Sequence, residues 1–220
     1  MSSSNDPGPP LILLGAGGHA KVLLALVQAA QRHVIGVCDP QLVAEDKEYW
    51  RGVRVLGRDE AIEHYNPHEV GLINGIGKLV GSSRRTHLYT SLRQRGYRFP
   101  TLVHPSAWVA ADARLSEGVQ IMAGVCIQPG CRVGENSIVN THASIDHDCD
   151  IAEHVHIAPG ATLCGNVRVD SRAFIGAGAV ILQNLTVGAD AVVGAGTTLS
   201  RDLAPGHTRI GTASRFKINQ

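Results

Sequence analysis

The chain has 220 residues, with 20 Lys and Arg set against 19 Asp and Glu for a net charge of +1. That balance offers no basic surface for nucleic acid and none for an acidic membrane, and no apolar run approaches the length of a membrane span. Five cysteines, an odd number in no pairing pattern, suit a reducing cytoplasm better than an oxidising compartment.

Residues 1–10 are polar and Pro-rich, without the apolar centre of a signal peptide, and read as a loose tail. Leu11–Leu14 is a short apolar run, expected to be a buried strand. The turn GAGGHA at 15–20 follows, then a helix over 21–31 rich in Ala, Leu and Val, then a strand over 33–38 that ends at Asp39-Pro40. This is a βαβ unit with a Gly-rich first turn. It nearly meets the dinucleotide fingerprint, with Ala20 in the third glycine place and Asp39 about twenty residues on. The segment up to Pro100 is, however, too short for the full six-stranded dinucleotide fold. A single βαβ half can still hold one nucleotide with phosphate at the helix N-terminus, and a ligand-free Gly-rich turn is the bland alternative. A further strand over 71–76 and a helix over 84–95 complete this part.

From Val103 to Leu199 every sixth residue is Val, Leu or Ile, and the residue four places after each is small or aliphatic. A period of six fits neither a helical stripe nor strand alternation. It fits a chain that turns a corner after each short strand, so that three hexads, 18 residues, close one triangular coil of a parallel β-helix. Successive coils then stack at roughly 4.8 Å. Gly124, Gly160, Gly178 and Gly196 share one column at multiples of 18, expected to be a corner that needs a special backbone angle or a close approach. Cys131 and Cys149 occupy small inward positions and are expected in the core.

Three histidines, His142, His147 and His156, fall within fifteen residues. His147 and Gly165 hold the same hexad place 18 apart, and are therefore neighbours on adjacent coils. A base beside an exposed backbone N–H is what acyl transfer needs, and Asp148 is placed to orient the ring. Asp146 and Asp150 are expected to be solvated acids. His142, in the glycine column, is expected to project outward at a corner. Its five-residue spacing from His147 also matches two zinc ligands of the hexapeptide-repeat carbonic anhydrases, though a third ligand is wanted and His154 and His156 follow in the wrong order.

Taken together, GAGGHA at 15–20, Cys-Asp-Pro at 38–40, Val-Asn-Thr at 139–141, IDHDC at 145–149, VHIAPGA at 155–161 and CGNV at 164–167 resemble the bacterial sugar acyltransferases. That group holds the sialic acid O-acetyltransferases and the N-acetyltransferases of nucleotide-linked 4-amino sugars. The resemblance covers residues 11–210. It implies an α/β Rossmann-like nucleotide-sugar domain over 11–101 and a left-handed β-helix of hexapeptide repeats over 102–220, assembled as a cytoplasmic homotrimer that binds acetyl-CoA between subunits and needs no metal. By position it implies that Gly17, Gly18 and His19 border the sugar nucleotide, with Asp39 and Pro40 near the base. Asn140 and His142 would flank the amino sugar. His147 would be the general base, oriented by Asp148, and the Gly165 N–H would hold the oxyanion. His156, Gly165, Ala177, Gly178, Ala195 and Gly196 would line the acetyl-CoA path.

Two residues depart from the group's pattern: His142 stands where a small residue is usual, and the ending GTASRFK over 211–217 lacks the Pro of Gly-x-Pro-Ala-Lys. The leading expectation is N-acetylation of a nucleotide-linked 4-amino sugar of the UDP-amino-sugar or GDP-perosamine type by direct amine attack. Sugar O-acetylation, a zinc carbonic anhydrase and a non-catalytic nucleotide-sugar binding protein are the alternatives.

Overall fold

A computed structural model describes residues 8–211. The expected tail therefore lies outside the described residues up to position 7, as does the C-terminal ending beyond Gly211.

Strand β1 (Leu11–Leu14) is wholly buried and lies between two parallel neighbours, β2 (Val34–Cys38) and β5 (Gly71–Asn74). On the far side of β2 lies β4 (Val53–Gly57), with β3 (Tyr49–Trp50) antiparallel at the edge, giving the order β3-β4-β2-β1-β5. A strand covered on both faces carries a continuous apolar run, which is how Leu-Ile-Leu-Leu reads. Helix α1 (Gly18–Ala29) buries Ala20, Leu23, Leu24, Leu26 and Val27. It begins three residues before the expected start, because Gly17 takes the N-cap position with an extended backbone. The short α2 (Pro40–Ala44) starts with Pro at its first position and is capped by the Asp39 carboxylate, which accepts from the N–H groups of Gln41 and Leu42. Helix α3 (Arg84–Gln94) follows β5.

From Leu102 the chain becomes a three-faced coil of two-residue strands, each paired in parallel with the strands 18 residues before and after, such as Ser144–Ile145 with Cys126–Ile127 and Thr162–Leu163. The first face runs from Trp108–Val109 to Thr198–Leu199, the second from Arg114–Leu115 to Thr186–Val187, and the third from Leu102–Val103 to Thr208–Arg209. The hexad residues from Ile121 to Leu199 are at most 2% exposed and fill the prism. Val103, on the outermost coil with no coil beneath it, is 36% exposed. Cys131 and Cys149 are buried as expected, their thiols donating to the Asp146 and Cys164 carbonyls.

The glycine column is less special than its spacing suggests. From Gly118 to Gly196 the fourth residue of every hexad, on all three edges, has a φ in the left-handed region. Where it is not Gly it is mostly Asn, Asp or His, the polar residues that tolerate this conformation best. The period shortens at the end: Thr208–Arg209 pairs with Val192–Val193, and Leu203 with Val187, sixteen residues back. Pro205 lies directly over Gly188, where a Cβ would come within 2.5 Å of the Pro205 nitrogen.

The sheet and the third face of the coil share one apolar core and are tied by polar contacts. Tyr89 Oη donates to Glu135 at 3.0 Å, the Phe99 N–H to Glu117 at 2.8 Å, and Asn74 Nδ2 to Asn136 Oδ1 at 3.3 Å. Among the described residues no helix is long and apolar enough to cross a membrane.

Candidate functional site

The expected site residues fall into three separate groups. The first is a cleft of about 830 Å³ at the C-terminal ends of β1, β2 and β5, lined by 15–19, Asp39, the β3–β4 hairpin and 75–77. That volume suits a small-molecule ligand. The cleft lies outside the carboxyl ends of parallel strands, where open α/β sheets bind ligands. Gly17 and Gly18 show what it is shaped for. Neither has a left-handed φ, and a Cβ on either would meet nothing within 4 Å. Backbone conformation and internal packing therefore do not require Gly at these places. Their lack of side chains leaves the N-terminal N–H groups of α1 bare toward the cleft, an arrangement suited to a phosphate. Gly15, in contrast, has φ +88° and needs its freedom.

Asp39 is committed to backbone: one carboxylate oxygen caps α2 and the other accepts the Ala16 N–H at 2.8 Å, holding the Gly-rich turn in shape. Pro40 starts α2 and does not line the cleft. Tyr49, Trp50, Arg51 and Arg84 do line it. The sequence reading passed over all four as site residues: Tyr49, Trp50 and Arg51 lie in an unassigned stretch marked by an aromatic pair followed by Arg, and Arg84 is read only as the start of a helix.

His19 sits at the inner wall. Its Nε2 is 2.8 Å from Gln120 Oε1 on the third face of the coil. Burial, aided by the Arg85 guanidinium, lowers its pKa to about 4. His156 lies one coil above Ile138 on the same face, 8% exposed and stacked on Phe174 with ring centroids 5.0 Å apart. Its pKa falls to about 3 through burial, then through His19 and Arg85, and its buried Nδ1 has no partner among the described residues. His156 thus neighbours His19 rather than His147.

The second group is the corner between the first and second faces. His147 Nδ1 is 2.9 Å from Asp148 Oδ2, and its own N–H donates to Asp146 Oδ1. Asp146 is therefore a local cap as well as a solvated acid. The Asp148 hydrogen bond, first among several acidic influences, raises the His147 pKa above its ordinary value. With Nδ1–H donating to the carboxylate, Nε2 is left as the lone-pair nitrogen. That nitrogen faces Gly165, where a Cβ would come within 2.5 Å of it. The Gly165 N–H has no acceptor among the described residues. The stacking expected from the 18-residue period is thus present: a base, its orienting carboxylate and an open backbone donor lie on adjacent coils. Asp148 is seated in turn over Gly130, which has no side chain to block it.

Gly165→Ala tests this contact. Because φ at Gly165 is ordinary and His147 is exposed, the new methyl is expected to push the imidazole aside with a stability change within about 0.5 kcal/mol. Turnover is expected to fall on the order of 10²-fold from the misplaced base. Parallel thermal-melt and kcat measurements check this, and unchanged kcat would separate His147 from Gly165.

The third group lies on the edge between the third and first faces. Asn140 accepts from the Thr141 N–H at 2.8 Å, and His142 projects outward over Gly124. Ala177, Gly178, Ala195 and Gly196 are exposed on the same edge higher up the coil. His142 and His147 therefore sit on different edges, and among the described residues no group of three or more His, Cys, Asp or Glu is placed to hold a metal ion.

Residues 10–92 match the family described as the PglD N-terminal domain. Over 96% of the chain and 98% of its counterpart, the fold superposes with a TM-score of 0.84 and 34% identity on a variant of GDP-perosamine N-acetyltransferase from Caulobacter crescentus in complex with CoA and GDP-perosamine. The acetyltransferase domain of PglB from Neisseria gonorrhoeae, in complex with acetyl coenzyme A, is 32% identical over 93% of the chain and 97% of its own, with a TM-score of 0.84. WeeI from Acinetobacter baumannii, 24% identical with a TM-score of 0.79, shares the fold. No curated protein matches the chain. The architecture is an α/β Rossmann-like sheet followed by a left-handed parallel β-helix.

Proposed function

Because this chain belongs to the bacterial nucleotide-sugar N-acetyltransferases of the left-handed β-helix superfamily, we propose that it transfers acetyl from acetyl-CoA to the amino group of a nucleotide-linked 4-amino sugar of the UDP-amino-sugar or GDP-perosamine type. The observation that carries the mechanism is the pairing of His147 with Asp148 on one side and Gly165 on the other. The sugar amine attacks the thioester carbonyl directly. His147 Nε2 takes the amine proton as the C–N bond forms, Asp148 steadies the resulting imidazolium, and the Gly165 N–H supports the oxyanion until CoA leaves as the thiolate. Cys149, buried in the core, is out of reach as an acyl carrier.

In this reading residues 11–101 hold the nucleotide sugar and 102–220 the acyl donor, with Gly17, Gly18 and His19 along the nucleotide. Asn140 and His142 stand at the sugar, and the edge carrying Ala177, Gly178, Ala195 and Gly196 forms part of the CoA path. His156, on the wall that joins the two parts, is proposed to lie beside the thioester and pantetheine of the acyl donor.

The catalytic corner is incomplete within one chain. The His147 side chain is 60% exposed, and its corner lies on a different edge of the prism from the third face, which carries Gln120 beside the cleft. The first face supplies the remedy. Its outward rungs Trp108, Cys126, Ser144, Thr162, Val180 and Thr198 carry no charge, whereas the second face presents Arg114, Arg132, Asp150 and Arg168. A flat uncharged face flanking His147 suits a second copy of the chain. This supports self-association, and we infer the cytoplasmic homotrimer that the family resemblance implies, with a neighbour's cleft facing this corner. Sedimentation reporting a monomer at assay concentration would remove that assembly.

The deciding assay presents purified protein with acetyl-CoA and a panel of UDP- and GDP-linked 4-amino and 4-hydroxy sugars, and follows free thiol. Turnover is expected with a 4-amino sugar and at most slowly with its 4-hydroxy counterpart, since a neutral hydroxyl is the weaker nucleophile. A preference for the hydroxyl acceptor overturns the amine reading in favour of O-acetylation, and no turnover with any acceptor favours a binding protein.

A further inference from the structure

His19 enters the cleft from the first turn of α1, yet the atom that governs its chemistry belongs to the coil. Gln120 stands on the third face, 2% exposed, with its side chain between His19 and β5. Gln120 Nε2 donates to the Asn74 carbonyl at 3.0 Å. A carbonyl only accepts, so this contact settles which end of the Gln120 amide is nitrogen. Gln120 Oε1 therefore faces His19, and an amide oxygen also only accepts. The imidazole nitrogen 2.8 Å away, Nε2, must carry the proton. Nδ1 is then a bare lone pair, and it has no partner among the described residues. The absence of a side chain at Gly77 leaves room for His19, since a Cβ there would come within 3.2 Å of the His19 Cβ.

The surroundings keep the ring in this state. Burial disfavours the imidazolium, and Arg85, buried and cationic, adds to that. A neutral Nδ1 lone pair repels a phosphate oxygen, which is also an acceptor. The bare N–H groups of Gly17 and Gly18 take that role nearby. One cleft therefore holds two opposed demands: anion acceptance at the start of α1, and a donor requirement one residue further on.

We propose that Gln120 is a positioning residue that fixes His19 as a hydrogen-bond acceptor, so that the cleft selects a ligand presenting a hydroxyl or N–H to His19 Nδ1. The coil thereby takes part in substrate selection by the sheet. The donor is supplied either by the nucleoside, through a base N–H or ribose hydroxyl, or by the sugar. The inference rests on the proposed nucleotide-sugar reading only for the choice of binding probes.

Long-range ¹H–¹⁵N spectra of the free protein at neutral pH test the first step without any ligand, with the His19 signals assigned by their loss in His19→Phe. The expected result is a neutral ring protonated on Nε2. A ring protonated on Nδ1, or an imidazolium, overturns the proposal whatever the acceptor screen finds. In Gln120→Leu the Nε2–H form should lose its dominance, and its persistence would show that Gln120 does not set it. His19→Phe keeps the ring volume without the acceptor. It is expected to weaken binding by about 3- to 10-fold, the worth of one hydrogen bond. Weakened UDP or GDP binding assigns the donor to the nucleoside. Weakening only of the UDP- or GDP-linked 4-amino sugar assigns it to the sugar. Unchanged affinity for every probe overturns the donor requirement even if the tautomer is as expected.

Discussion

Replacing His147 with Ala is expected to lower turnover on the order of 10²–10⁴-fold, the usual contribution of a positioned general base, with little change in KM or melting temperature. The small structural cost follows from its place: the side chain stands at an exposed corner and packs into no core. The chemical cost follows from its neighbours, since Asp148 holds the Nδ1 side and Gly165 lies against Nε2. The same geometry sets the sign of the pH response. A general base works in its neutral form, so activity must rise with pH as His147 loses its proton. The Asp148 hydrogen bond raises that pKa. Asp148→Asn removes the anion that favours the imidazolium and should move the acidic limb of the kcat/KM profile to lower pH. It should also reduce the maximum, because the ring is no longer held in one orientation. Near-full turnover of His147→Ala across this pH range would transfer the proton to another acceptor.

Arg85→Ala is expected to be the most destabilising change at any charged position described above, costing on the order of 3–5 kcal/mol. Arg85 is 4% exposed and has no carboxylate partner among the described residues. Its Nε and Nη2 donate to the Asn136 carbonyl at 3.3 and 3.2 Å, and its Nη1 to the Asn74 and Ile76 carbonyls at 2.9 and 2.7 Å. Burial pushes its pKa down to about 9, which leaves it charged at neutral pH. Removing the side chain strands the Asn136 and Ile76 carbonyls in a space closed to most solvent and leaves the Asn74 carbonyl to Gln120 Nε2 alone, while the link between β5 and the coil at Asn136 is reduced to the Asn74–Asn136 side-chain bond. Arg85→Lys retains a cation but lacks the planar fork that spans these carbonyls, so it should fall between the two. Urea unfolding measures both variants. A loss below about 1 kcal/mol for Arg85→Ala would mean that the apolar core alone holds the sheet to the coil.

Much of this molecule can be read from spacing. A six-residue period has one economical realisation, and once three hexads close a coil, residues 18 apart must stack. That is why His147 and Gly165, and the buried Cys131 and Cys149, can be placed without coordinates. The Gly-rich turn is legible for a similar reason: strand, turn and helix are contiguous, and local contacts need no knowledge of the rest of the chain. Helix α1 still starts earlier than its apolar pattern suggests, since an N-cap glycine carries no side-chain signal. The β3–β4 hairpin does carry a signal, an Arg-Gly turn followed by Val53-Arg-Val55, but it is short enough to pass unassigned, and with it Tyr49, Trp50 and Arg51.

The contacts that spacing could not supply join parts of the chain without a common period. His19 and Gln120 are 101 residues apart, and Asn74 and Asn136 are 62 apart. No local pattern encodes such pairs, because they depend on how the sheet is docked on the third face. Docking also decided that His156 belongs beside His19 and not beside His147, and that the donor-accepting state of His19 is set from the coil. The sequence by itself determined the coil, its stacking and the meeting of His147 with Gly165, because a strict repeat turns chain distance into spatial distance. The tertiary structure alone decided which face the sheet covers, and therefore the protonation and partners of every buried polar group between them.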